Sequence, residues 1–123
     1  MSWEGHGLRL ELDVALKGRA LVMRMTLENV APGPIPLAFS TSKTWDAEVR
    51  DEEGRVLWRW SAGKLFLQVV RYLELSPGEA ITFRAEWEAP KPGRYTVVGY
   101  FVGHVGDLSG PTPPPLALEV EVG

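Results

Sequence analysis

The sequence predicts an all-β protein, an antiparallel sandwich of about eight or nine short strands. Three observations carry this. Apolar and polar side chains alternate with a period of two in run after run. Turn signals built from glycine and proline separate the runs at intervals of roughly 8–12 residues. No stretch shows a 3.6-residue period over a helical length.

In chain order, Leu8, Leu10, Leu12, Val14 and Leu16 alternate with Arg9, Glu11, Asp13 and Ala15, a half-buried strand. Residues 1–6 are expected to be a flexible terminus. Lys17-Gly18-Arg19 is a tight turn, with glycine available for positive φ. Leu21, Met23, Met25 and Leu27 then form the packed face of a second strand, which either pairs with the first or faces it across the sandwich. Pro32, Pro34 and Pro36 forbid a central strand, so a loop or crossover lies there. Ile35, Leu37 and Phe39 begin a short strand. Next comes a hairpin: Trp45, Ala47 and Val49 on one face, Asp46, Glu48 and Arg50 on a wet face, Asp51–Gly54 as the turn. Its return run sets Val56, Trp58 and Trp60 against Arg55, Leu57 and Arg59.

Ser61–Lys64 is a second turn. Leu65–Val70 is apolar without a clear period and reads as a strand or as a short helical turn plugging one end of the core. Ser76-Pro77-Gly78-Glu79 suits a type II turn. Ile81, Phe83, Ala85 and Trp87 make another strand, Tyr95, Val97, Gly99 and Phe101 the next, and Leu116–Val122 the last. Gly93-Arg94-Tyr95 suits a tyrosine packed at a sheet corner, as in immunoglobulin-like folds. The expected architecture is therefore an immunoglobulin-like antiparallel β-sandwich, with residues 1–123 as one domain.

Composition narrows the class of function. Hydrophobic residues make up 45% and charged residues 24%, which is ordinary for a globular chain. A formal net charge of -3 argues against nucleic acid or an anionic membrane as partner. The chain has no cysteine, which excludes disulfides and thiolate metal sites. It shows no secretory signal and no apolar run of membrane-spanning length, so a cytoplasmic location is expected. Only Asn29 and Gln68 carry side-chain amides against 10 prolines, a composition that fits a thermophilic source.

Catalytic groupings are hard to assemble. His6 and His104 are the only imidazoles, and neither has a ligand partner at metal spacing. A triad of His104, Asp107 and Ser40 or Ser109 lacks a nucleophile elbow. Asp51-Glu52-Glu53 reads as a solvated hairpin tip. The arginines and tryptophans of residues 55–60 fall on opposite strand faces, unlike a nucleic-acid platform. No catalytic residue, cofactor or metal is expected, and the chain is not expected to be an enzyme.

Certain residues recur in an order that resembles a known family. They are an F-x-T-x-x-x-x-D frame from Phe39 through Thr41 to Asp46, then Val49-Arg50-Asp51, Gly54, Trp58-Arg59-Trp60-Ser61 and Phe66. Leu75-x-Pro77-Gly78, Trp87 and Gly93-x-Tyr95 complete the set. The pattern is similar to the bacterial intracellular proteinase inhibitors of BsuPI type and covers roughly Leu21 to Phe101. Trp45 departs from it, standing where another aromatic is expected. The resemblance implies inhibition of an intracellular subtilisin-like serine protease. It supplies no reactive-site motif. Apart from the resemblance, a monomer or weak homodimer is expected. Two loops are candidates for the contact: first Gly103–Pro115, stiffened by its prolines, with Leu108 placed to fill an apolar primary pocket between Asp107 and Ser109, and second the Ser61 turn, with Lys64, Leu65 and Phe66. A strand edge pairing with a partner is the alternative, in a non-inhibitory binding or accessory module.

Overall fold

The two alternating runs at Leu8–Lys17 and Ala20–Asn29 pair along their whole length, the longest ladder in the computed structural model, which describes residues 1–123. In chain order the strands are β1 (Ser2–Gly5), β2 (Leu8–Lys17), β3 (Ala20–Asn29), β4 (Ile35–Phe39), β5 (Trp45–Arg50) and β6 (Val56–Arg59). They continue with β7 (Arg71–Leu75), β8 (Ala80–Glu88), β9 (Gly93–Phe101), β10 (His104–Val105) and β11 (Leu116–Val122). There is no helix. The strands form three antiparallel sheets in the orders β1-β2-β3-β8, β11-β9-β5-β6 and β10-β4-β7. With short strands β1 and β10 the total is eleven, against the eight or nine expected.

The first two sheets meet across one core. Leu8, Leu10 and Leu12 of β2 and Leu21, Met23, Met25 and Leu27 of β3 are fully buried. Ala47, Val49 and Val97 face them from β5 and β9. The fit at the seam is close. A Cβ on Gly99 of β9 would stand 2.6 Å from Met25 Cε and 3.1 Å from Leu12 Cδ1, so the glycine lets β9 approach the opposing sheet. The third sheet closes one flank, with Ile35, Leu37, Phe39 and Leu75 joining the same core. Buried Asn29 fastens that flank. Its Nδ2 donates to the carbonyls of Gly33 and Leu75, and its Oδ1 accepts from the Ala31 amide. These three bonds satisfy both polar atoms, as a fully buried amide requires.

Turn chemistry follows the sequence in most places. Gly18 has φ +62° at the first central position of the β2–β3 turn, as a type II′ hairpin demands. Gly78 has φ +80° at the third position of the Ser76 turn, which is closed by the Glu79 amide on the Ser76 carbonyl. The Tyr95 hydroxyl donates to the Lys91 carbonyl at 2.6 Å, anchoring the sheet corner.

Three expectations change. Residues 2–5 pair with β2 instead of remaining loose, because His6 and Gly7 both adopt positive φ and complete a two-residue hairpin turn. Leu65–Val70 is neither strand nor helix and does not plug the core. Its apolar side chains other than Phe66 lie in solvent, with Leu65 fully exposed. Asp46 and Glu48 do point away from Trp45, Ala47 and Val49, yet they are only 6% and 1% exposed. The outer face of β5 is covered there by long polar side chains from neighbouring strands.

The aromatic seam makes Phe101 a sensitive core position. It packs edge-on against Phe39 and tilted against Phe83. Phe101→Ala is expected to lower stability by about 3–5 kcal/mol, read as a shift in urea midpoint without change in slope. A loss below about 1 kcal/mol would show that the seam is not packed as described.

Candidate functional site

The segment Ser61–Val70 is the most exposed apolar stretch of the chain. Leu65 is 100% exposed and Leu67 69%, and Val69 and Val70 are about half exposed. Tyr72 and Leu73 continue the exposed surface onto β7, which ends its sheet. An apolar stretch in water is held in place here by the hairpin beside it, through aromatic packing and two buried carboxylates.

The aromatic part begins at Trp45, buried and stacked on Phe83 with ring centroids 5.5 Å apart. Trp60 tilts against Trp45 at 5.4 Å, and Phe66 against Trp60 at 6.1 Å. The Lys64 ammonium stands 4.7 Å above the Trp60 ring, a cation–π contact. Lys43 approaches the Phe66 ring at 5.9 Å. Past this platform, Leu67 is tied to the Thr41 turn by its backbone. Its amide donates to Ser42 Oγ at 2.8 Å, and its carbonyl accepts from the Ser42 amide at 3.0 Å. The turn itself is closed by the Lys64 amide on the Ser61 carbonyl, with Gly63 at φ +78°.

The carboxylate part fixes the root of the loop. Asp46 Oδ1 accepts from the amides of Ala47 and Ser61, and Oδ2 accepts from the Ser61 hydroxyl at 2.6 Å and pairs with Lys43 Nζ at 2.8 Å. Burial pushes the Asp46 carboxyl up, but the hydrogen bonds from Lys43, Ser61 and Ala47 outweigh it and hold it below its ordinary range. Two residues on, Glu48 accepts from the Tyr100 hydroxyl, from Arg59 at 2.9 Å and from Arg50 at 2.7 Å. Burial again opposes ionisation, and these three donors together lower the carboxyl to about 2. Arg59 thereby ties β6 to β5 from outside while Trp58 and Trp60 pack from inside.

The other candidate loop has a different shape. The Gly110 amide closes a β-turn on the Asp107 carbonyl, so Leu108 and Ser109 sit at its corners. Asp107 Oδ1 accepts from both the amide and the hydroxyl of Ser109. Those two bonds are the main reason its carboxyl lies below the ordinary range. His104 Nδ1 lies 3.0 Å from the Gly110 carbonyl and 3.2 Å from Thr112 Oγ1, so the Ser109 hydroxyl meets a carboxylate and not the imidazole. Leu108 is 38% exposed. Asp107, Leu108 and Ser109 thus lie together in a tight turn, whereas Lys64 and Phe66 pack on Trp60 and leave Leu65 free.

Sequence reasoning missed Asp46 and Glu48 as buried anchors and Ser42 as the brace. The available signal was the frame joining Phe39, Thr41 and Asp46 to Trp58–Ser61 and Phe66. Of those residues, Asp46, Trp60, Ser61 and Phe66 meet at the root of one loop. An apolar pocket of about 190 Å³ opens beside β7, lined in part by Phe39, Leu73, Ile81 and Phe83.

A family model described as BsuPI, intracellular proteinase inhibitor, matches residues 8–105. No curated protein matches the chain. Among solved structures, a penta-heme cytochrome c552 from Thermochromatium tepidum aligns with a TM-score of 0.52 at 13% identity, over 95% of this chain and 40% of that one. A protein described as a candidate β-galactosidase from Bacteroides fragilis aligns with a TM-score of 0.47 at 13% identity, over 93% of this chain and 16% of that one. The chain therefore spans less than half the length of either, and the first likeness is one of fold alone.

Two outcomes test the anchoring. Glu48 is ionised at lower pH folded than unfolded, where a glutamate titrates near about 4.3. Its contribution is complete above that value and lost as pH falls toward about 2. Glu48→Gln should flatten the acid limb of the stability curve between pH ~5 and ~2, measured by urea unfolding at each pH. An unchanged limb would place the acid sensitivity elsewhere. Asp46→Ala should cost about 2 kcal/mol and speed amide exchange at Ala47 and Ser61, while β2 and β3 stay protected. Unchanged exchange at Ser61 would contradict the clamp.

Proposed function

We propose, from the premise that the chain belongs to the BsuPI family of intracellular proteinase inhibitors, that it inhibits a subtilisin-like serine protease of the cytoplasm through a surface loop, and that this loop is Ser61–Val70. The observation that carries the choice of loop is its combination of exposed apolar side chains with a fixed base. Leu65 is fully exposed, while Lys64, Phe66 and Leu67 on either side are held by Trp60 and Ser42. A loop ordered before docking loses little entropy on binding, so more of its contact energy appears as affinity. The loop also lies inside the matched residues 8–105, whereas Asp107, Leu108 and Ser109 lie outside them. The family description is that of an inhibitor and not of an enzyme.

A second reading, an accessory module that self-associates, is favoured by one feature. β7 ends its sheet and carries Tyr72, 70% exposed, next to the apolar pocket. An unprotected edge of that kind can add a strand from a second chain. Sedimentation separates the readings, since edge pairing requires a concentration-dependent dimer.

Titration of an intracellular subtilisin-type protease with the purified protein should abolish activity at about one equivalent, with the inhibitor recovered intact. No inhibition across several such proteases would overturn the proposal.

A further inference from the structure

Resting on the inhibitor reading, we propose that Leu65 is the side chain that enters the primary specificity pocket of the target, and that this pocket is apolar and uncharged. Three observations converge on this residue. Its side chain is 100% exposed, the extreme value among the large apolar residues. Both neighbours are committed: Lys64 lies over the Trp60 ring and Phe66 packs beside it. The amide and carbonyl of Leu65 make no hydrogen bond within the chain, so they are free to pair with the backbone lining a protease cleft. Leu67, the next most exposed side chain of the loop, has both backbone groups bound to Ser42. Leu108 sits at the corner of a closed β-turn, where the flanking chain folds back instead of running along a cleft.

The charge distribution sets the pocket's chemistry. Lys64 is the cation nearest the apex, and its ammonium is drawn 4.7 Å from the centre of the Trp60 ring. The tip that remains is a neutral isobutyl group. It suits a protease that prefers large apolar residues and not one whose pocket holds a carboxylate.

The test is inhibition of an intracellular subtilisin-type protease, and in parallel of a trypsin-like protease with an acidic pocket, by wild type and by Leu65→Asp, Leu65→Arg, Leu108→Asp and Leu16→Asp. Leu16 is an exposed leucine at the far end of β2 and controls for surface charge. Circular dichroism confirms that each variant is folded. Leu65→Asp should weaken inhibition of the subtilisin-type protease by about 100-fold or more, while Leu16→Asp and Leu108→Asp stay within about twofold of wild type. Leu65→Arg should gain inhibition of the trypsin-like protease. Wild-type inhibition that survives Leu65→Asp would overturn the assignment of Leu65 and leave the inhibitor reading intact. Failure of the wild type against every subtilisin-type protease would overturn that reading, and this assignment with it.

Discussion

Asp46 is the residue through which the hairpin and the exposed loop become one body. It is nearly out of water, and its two oxygens serve four partners: the amides of Ala47 and Ser61, the Ser61 hydroxyl and Lys43. A buried carboxylate is tolerated only when it is paired and hydrogen-bonded, because an unmet buried charge costs several kcal/mol. That requirement works in the loop's favour. To keep Asp46 satisfied, Ser61 must stay beside the start of β5, and Trp60 must then lie across Trp45. Glu48 adds the same constraint one step along the strand, gathering Arg50, Arg59 and Tyr100 over the outer face.

The consequence reaches the apolar loop. Left to itself, a segment with Leu65, Phe66, Leu67, Val69 and Val70 would collapse onto the nearest apolar surface, since burial of each such side chain gains about 1.5–3 kcal/mol. Here only Phe66 does so, against Trp60. Ser42 holds Leu67 by both backbone groups, which stops the rest of the loop from folding inward. Exposed apolar patches of this kind mark sites of protein contact far more often than idle surface. Membership of an inhibitor family names the class of partner. Rigidity explains how a loop can occupy a cleft without being adapted to it by induced fit.

Much of the fold was legible in the residues. Period-two alternation located β2, β3, β5, β8, β9 and β11, because each has one face on the core and one outside it. Glycines at positive φ marked the turns at Gly18, Gly54 and Gly78. The failures have physical causes. β1 was missed because its turn uses His6 at positive φ, where asparagine or glycine is the usual signal. Asp46 and Glu48 were read as wet because alternation reports which face a side chain takes, not what covers that face. Leu65–Val70 reads as a strand or a helical plug because apolar composition ordinarily signals burial in a regular element. The family pattern was legible too, but its meaning was not: Asp46, Trp60, Ser61 and Phe66 look like unrelated strand and turn positions until the hairpin brings them together.

If Ser61–Val70 is the surface that meets the protease, amide hydrogen exchange on the inhibitor, free and bound to an intracellular subtilisin-type protease, will register it there. Amides of Leu65 and Phe66 have no partner within the chain, so fast exchange is expected in the absence of the protease. Strong protection of residues 62–70 in the complex, with residues 104–112 unchanged, is the predicted result. Protection confined to residues 104–112, or to the β7 edge, would contradict it.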